Sequence, residues 1–191
     1  MLRSAWKKTR ILLAICLGMV IMHALNAAFG FYFLSYGIYP GELASLPHIF
    51  SAPFLHGNLS HLVNNLIGLA IFGWLCLMRG IRAFIFASLI IVTFSGLLIW
   101  QFGRPALHIG ASGWIFGLWS LSIAIAWFDR RFVNILLAVI VALLYGGMIH
   151  GVLPNDLSIS WEAHLFGAIA GVLAAWLLSL QKTRKLLKSS M

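Results

Sequence analysis

Long apolar runs divided by short polar breaks dominate this chain. A membrane-spanning helix needs about 20 mostly apolar residues, with a range of about 17–25. Six runs qualify, at about residues 11–34, 59–78, 83–100, 112–128, 132–149 and 163–180. Backbone that faces lipid must satisfy its own hydrogen bonds, so the pattern predicts an all-α bundle of six transmembrane helices. Between the first two runs lies a longer segment, about 35–57, with Leu46, Ile49, Phe50, Phe54 and Leu55 but no Lys or Arg. That mixture suits a loop lying in the membrane interface, and Pro40, Pro47 and Pro53 argue against one continuous helix there. No internal repeat, soluble domain or low-complexity tract interrupts the pattern. A single membrane domain over 1–191 is expected, with short tails at about 1–10 and 181–191.

Composition makes the membrane reading firm. Hydrophobic residues make up 62%, charged residues 9%, and mean hydropathy is +0.99. Soluble chains have about 45–50% apolar and about 25% charged residues, so a soluble enzyme, a disordered chain and a disulfide scaffold are excluded. Cys16 and Cys76 both fall inside apolar runs and read as buried thiols. The net charge of +9 reads as membrane topology, and no nucleic-acid partner is expected. Arg3, Lys7, Lys8 and Arg10, Arg79 and Arg82, Arg130 and Arg131, and Lys182, Arg184, Lys185 and Lys188 all fall on one side of a six-span layout, with only Arg104 on the other. Both termini are therefore expected in the cytoplasm. The first run is longer than a signal-peptide core of about 7–15 residues, and no clear A-x-A site follows it, so it reads as a retained anchor.

Polar residues at membrane depth are costly and point to function. Three groups sit at the external end of the bundle. The first is Gly110-Ala111-Ser112-Gly113, opening the fourth span. A serine there has unpaired N–H donors and positive potential beside its hydroxyl, which suits a nucleophile with an oxyanion site. The plainer reading is a helix N-cap among packing glycines. Ser112 and Asp129 are 17 residues apart, about 25 Å of helix, against a hydrocarbon core about 30 Å thick. A serine several ångströms below the external surface needs a water-filled depression or a polar partner.

The second group is Ala163-His164-Leu165-Phe166-Gly167, opening the sixth span. Ala163, Gly167 and Gly171 form a small-residue stripe that allows close helix approach. Gly113 and Gly117 match it on the fourth helix. If the two faces meet, the His164 imidazole can reach the Ser112 hydroxyl as a general base; alone, such a histidine is as readily an interfacial or structural residue. The third group is His56-Gly57-Asn58-Leu59-Ser60-His61 followed by Asn64-Asn65. His61 and Asn65 share a helix face and can donate to a developing oxyanion. Asn58 suits an N-cap, and His56, Ser60 and Asn64 have ordinary readings as caps or interhelical bonds. For orienting His164, Asp129 is at the wrong face of the membrane and Glu162 points about 200° away around the helix. Spacing leaves Asp156 open, and a Ser–His dyad is favoured over a triad.

These motifs resemble the rhomboid intramembrane serine proteases of the six-helix bacterial type. The family pattern has two His residues five apart with an Asn four further on, then G-x-S-G, then A-H-x-x-G-x-x-x-G. Here His56, His61 and Asn65, then Gly110, Ser112 and Gly113, then Ala163, His164, Gly167 and Gly171 occur in that order, in the second, fourth and sixth spans. The resemblance implies Ser112 as nucleophile and His164 as base. It implies that His61, Asn65 and the Ser112 N–H bind the oxyanion, that Gly110 shapes the cleft, and that His56 ties the external loop to the bundle. Phe116 replaces a Tyr that some relatives pack on the catalytic His. The Trp-Arg pair of many relatives' first external loop is replaced by Pro47 and His48, so that loop's role is not carried over. With no further span or soluble domain in view, this is the minimal form.

The resemblance implies a multi-pass protein of the bacterial inner membrane. Its active site would open to the periplasmic or external side, and its substrates would be transmembrane segments of other proteins within the lipid bilayer. No cofactor and no metal are expected: His56, His61 and His164 offer imidazoles, but there is no H-E-x-x-H and no matched carboxylate. A catalytically silent rhomboid-like binder is the alternative, and a channel or transporter using the polar residues as a relay is a further one. His23 is placed to bond a neighbour within the first span, and Arg104 and His108 are candidates for substrate contact.

Overall fold

The computed structural model describes residues 2–154 and 159–189. Among these, six α-helices run in chain order: α1 (Leu2–Ala28), α2 (Leu59–Met78), α3 (Ile81–Phe102), α4 (Ser112–Phe128), α5 (Phe132–Tyr145) and α6 (Trp161–Ser189). The end helices extend through the segments read as tails. Five stretches are long and apolar enough to cross a membrane, and α4, with 17 residues, is shorter. The chain is a multi-pass integral membrane protein. The fourth run keeps the bounds read from the sequence, 112–128, and forms the shorter apolar helix beside five longer ones.

The physical reason for the short α4 is its position. Every residue from Gly113 to Ser122 is buried, so its neighbours rather than lipid surround its upper half. A helix buried all round is apolar all round, and it has no need to match the bilayer thickness. Leu118 and Leu121 sit in the core with Leu69, Phe72, Phe84 and Ile91 from α2 and α3. The fully buried residues that α6 adds to this core are Ala170, Ala174 and Ala175 among the described residues. Small side chains let α6 lie directly on α4. A methyl placed on Gly167 would strike the Gly113 carbonyl, and one on Gly171 would strike the Gly117 carbonyl. The Ser120 hydroxyl donates to the Ala168 carbonyl at 2.7 Å across the same seam. On the outside, α5 leaves Leu143 and Leu144 79% and 70% exposed, a face for lipid.

Two boundaries differ from the hydropathy reading. The first helix ends at Ala28 rather than at 34, because Gly30 and Phe31 both take left-handed backbone, φ +61° and +62°. The buried Asn26 fixes this stop: its carbonyl accepts the Phe31 N–H at 2.7 Å and its side-chain oxygen accepts the Phe33 N–H at 3.0 Å. The fifth helix gives way at Gly146-Gly147 to a 3-10 segment, Gly146–Val152. Glycine is a poor helix former, and the tighter turn redirects the chain toward α6.

The long loop after α1 is broken into three 3-10 segments, Tyr32–Tyr36, Leu43–Ile49 and Ala52–Phe54. It is tied to the bundle by backbone. Ile38 and His108 exchange a pair of N–H···O bonds at 3.0 and 2.8 Å, and the Gly110 N–H donates to the Ala52 carbonyl at 2.8 Å. The His23 ring donates from Nδ1 to the His56 carbonyl at 3.1 Å. Within the loop, His48 donates from Nδ1 to the Gly37 carbonyl at 3.0 Å.

Candidate active site

Ser112 opens α4 as its first residue, after Ala111. The first intrahelical bond there is made by Ile115 N–H, to the Ala111 carbonyl. The N–H groups before it therefore have no helical acceptor, as at any helix start. Gly110, the residue that turns the chain into α4, has φ +102°. A Cβ there would lie 2.5 Å from the His61 ring, so only glycine lets the imidazole settle against this turn.

His61 and Asn65 stand in the first two turns of α2. The Asn58 side chain caps that helix by accepting the His61 N–H at 2.8 Å, which meets the N-cap expectation. Asn65 is 4% exposed. Its amide donates to the His61 carbonyl at 2.7 Å, while its oxygen is buried without a hydrogen-bond partner among the described residues. Such an orphan acceptor is costly and marks a place where a donor is missing.

His164 stands in the first turn of α6. Its Nδ1 donates to the Gly151 carbonyl at 2.8 Å. That bond fixes the neutral tautomer with Nε2 free as acceptor. The ring lies flat on Phe116, with centroids 4.1 Å apart and planes at 4°. Ser112, His164, His61 and Asn65 all line one cavity of about 750 Å³, together with Asn64, Phe116 and His108. The Ser112 hydroxyl makes no hydrogen bond to the described residues, so the serine–histidine link is open in this structure; such links often tighten only when substrate is bound.

The remaining singled-out residues have structural places. Gly113 and Gly167 form the α4–α6 contact beside the site, and Gly171 repeats it one turn deeper, outside the cavity. His56 is fully buried, set edge-on to the His61 ring at 5.0 Å. Burial, reinforced by the nearby His61 charge and only partly offset by the Phe54 backbone, lowers its pKa to about 4. It is therefore a neutral strut at physiological pH.

Several participants carry no signal in the sequence. The orienting group for His164 is a backbone carbonyl, that of Gly151. Asp129 pairs with Arg131 at 2.8 Å, far along α4, and Asp156 lies outside the described residues. Glu162 is buried beside Arg104, with 3.4 Å between their charged atoms. Arg104 also donates to the Ile159 carbonyl at 2.7 Å. His108 donates from Nε2 to the Arg104 carbonyl at 3.1 Å, which leaves Nδ1 to accept from the Ser160 hydroxyl at 2.6 Å. Burial lowers the His108 pKa, matching that neutral arrangement. These contacts clamp the loop before Ser112 to the start of α6. Among the described residues no group of three metal-ligating side chains is gathered.

The Rhomboid domain family model matches residues 43–181. The chain belongs to the rhomboid family. An uncharacterised protein of Mycobacterium tuberculosis is 38% identical over 152 residues, covering 75% of this chain and 63% of that protein. One from Mycobacterium leprae is 40% identical over 146 residues, covering 71% and 58%. Rhomboid-like protein 11, chloroplastic, of Arabidopsis thaliana is 31% identical over 154 residues, covering 68% and 51%. The chain thus spans about three fifths of the length of the mycobacterial relatives it matches. The rhomboid match contains every candidate residue singled out from the sequence, from His56 to Gly171.

Proposed function

We propose that this rhomboid chain is an intramembrane serine endopeptidase that cuts transmembrane segments of other membrane proteins with a Ser112–His164 dyad. The observation that carries the reading is the state of His164: Nδ1 is committed to the Gly151 carbonyl, and Nε2 is left as the acceptor in a cavity shared with Ser112. His164 Nε2 takes the Ser112 proton as Oγ attacks the peptide carbonyl. The imidazolium so formed keeps its Gly151 bond and lies on the Phe116 ring, whose π face attracts a cation. The Ser112 N–H, His61 and Asn65 hold the oxyanion. His164 then protonates the leaving amine, and water hydrolyses the acyl-enzyme. A helical peptide bond is shielded by its own hydrogen bonds, so the substrate must unwind at the cleaved bond, which helix-breaking residues favour; the family resemblance adds a small residue before that bond.

The charge pattern supports an orientation with both termini in the cytoplasm and the cavity opening to the periplasmic or external side of a bacterial inner membrane. The test is labelling of purified protein by a fluorophosphonate, run beside cleavage of a transmembrane peptide. Wild type labels and cleaves; Ser112→Ala does neither, and His164→Ala loses about 10³-fold or more. A folded wild type that neither labels nor cleaves would bring forward the second reading, a catalytically silent binder, for which the open serine–histidine link is the relevant observation.

A further inference from the structure

The end of the molecule opposite Ser112 has a cavity of its own, of about 830 Å³, between the start of α1, the α2–α3 turn, the α4–α5 turn and α6. Four cations line it, Lys8, Arg79, Arg82 and Arg131, against one carboxylate, Asp129. That carboxylate is already engaged: Arg131 grips it with Nη2 at 2.8 Å and Nε at 3.0 Å. Arg79 is held by a neutral partner, donating from Nη1 to Asn134 Oδ1 at 2.8 Å. That bond fixes the guanidinium in place without cancelling its charge. Lys8 and Arg82 make no ion pair with the described residues. Arg79 and Lys8 are partly buried while Arg82 and Arg131 are exposed at the rim, and gathering like charges around one recess is unfavourable unless an anion joins them. The wall is not polar throughout, for Met78, the last residue of α2, lines it and is 55% exposed.

We propose that this recess binds the phosphate of an anionic membrane phospholipid. Guanidinium forks suit phosphate oxygens, and basic pockets between helix ends suit acidic headgroups. The apolar flank at Met78 is where acyl chains would leave the recess, which favours a lipid over a free phosphate. A zwitterionic headgroup brings a cation of its own into a site that already holds four. The inference does not depend on the catalytic reading.

The test uses the full chain in mild non-ionic detergent, titrated in parallel with phosphatidylglycerol, phosphatidylcholine and inorganic phosphate. Bound lipid is read by native mass spectrometry and stabilisation by the thermal unfolding midpoint. Phosphatidylglycerol should be retained and should raise the midpoint, and the Lys8→Gln/Arg82→Gln pair should weaken it about tenfold. The pair Lys7→Gln/Arg130→Gln, which removes the same charge from positions outside the recess, should leave binding unchanged. Equal retention of phosphatidylcholine, or equal loss in both pairs, would overturn the proposal. Inorganic phosphate that competes as well as the lipid would replace the lipid with a free anion.

Discussion

The proton chemistry rests on one imidazole whose two nitrogens have been given different work. His164 Nδ1 is tied to a carbonyl that cannot accept a second role in catalysis, so only Nε2 can take the serine proton. Protonating Nε2 removes the base while leaving the Gly151 bond intact. Activity should therefore fall on acidification as Nε2 is protonated. A rate of peptide cleavage that stays flat on acidification would argue against His164 as base. The Phe116 ring adds a separate contribution because it lies parallel to the imidazole at 4.1 Å. Replacing it by Leu keeps an apolar side chain but removes the π face. Phe116→Leu should slow fluorophosphonate labelling about tenfold, whereas Phe116→Tyr, which restores the ring, should label within about threefold of wild type. Equal labelling by all three would reduce Phe116 to packing alone.

At the level of elements, the site depends on how closely α6 lies on α4. Gly113 and Gly167 meet backbone to backbone, and so do Gly117 and Gly171. Gly167→Ala must push the helices apart at the very turn that carries His164. Overpacking of this kind costs about 1–3 kcal/mol, and the displaced imidazole would lose reach to Ser112. The thermal midpoint and the labelling rate should both fall. Gly171→Ala, one turn deeper and outside the cavity, should lower the midpoint with a smaller effect on labelling. Gly18→Ala on α1, where a methyl meets nothing within 4 Å, is the control: it should leave labelling unchanged and should not lower the midpoint. Much of this seam was legible from the chain, because glycines four apart on two apolar runs leave few other ways to pack. Ser112, His164, His61 and Asn65 were legible for a related reason: polar side chains stand out against lipid-facing sequence. What stayed hidden was carried by backbone. The Gly151 carbonyl has no side-chain signature, and the 3-10 turn that delivers it begins inside the fifth apolar run, which hydropathy treats as uninterrupted helix to about 149. The bounds of α4 were legible but its burial was not, since hydropathy measures how apolar a segment is and not whether lipid or protein surrounds it.

For the molecule as a whole, the long loop and the bundle act as one unit through bonds that bracket the site. The loop holds Gly110 and His108 by backbone pairs, and it delivers His56 into the interior against His61. His56 is fully buried and neither ring nitrogen makes a well-formed hydrogen bond to the described residues. Its neutral form is tolerated there and its charged form is not, which is why its pKa falls from 6.5 to about 4. The folded protein thus releases this proton more readily than the unfolded chain does. Between about pH 6.5 and pH 4 the unfolded chain binds more protons, so stability must decline as pH falls through that window, and the loss is complete only below about pH 4. A shift of this size corresponds to about 3 kcal/mol. His56→Phe removes the titration while keeping a flat ring in the same space. The His23 bond survives the change, because it ends on the His56 backbone carbonyl. Wild type and His56→Phe should therefore unfold at similar temperatures near pH 7.5 and diverge on acidification, with the variant the more stable at pH 5. His108 is common to both proteins, so the divergence reports the loss of the His56 proton together with its coupling to His61. Parallel midpoints at both pH values would mean that acid destabilises this fold through some other group, and that the loop is held to the bundle by its backbone bonds alone.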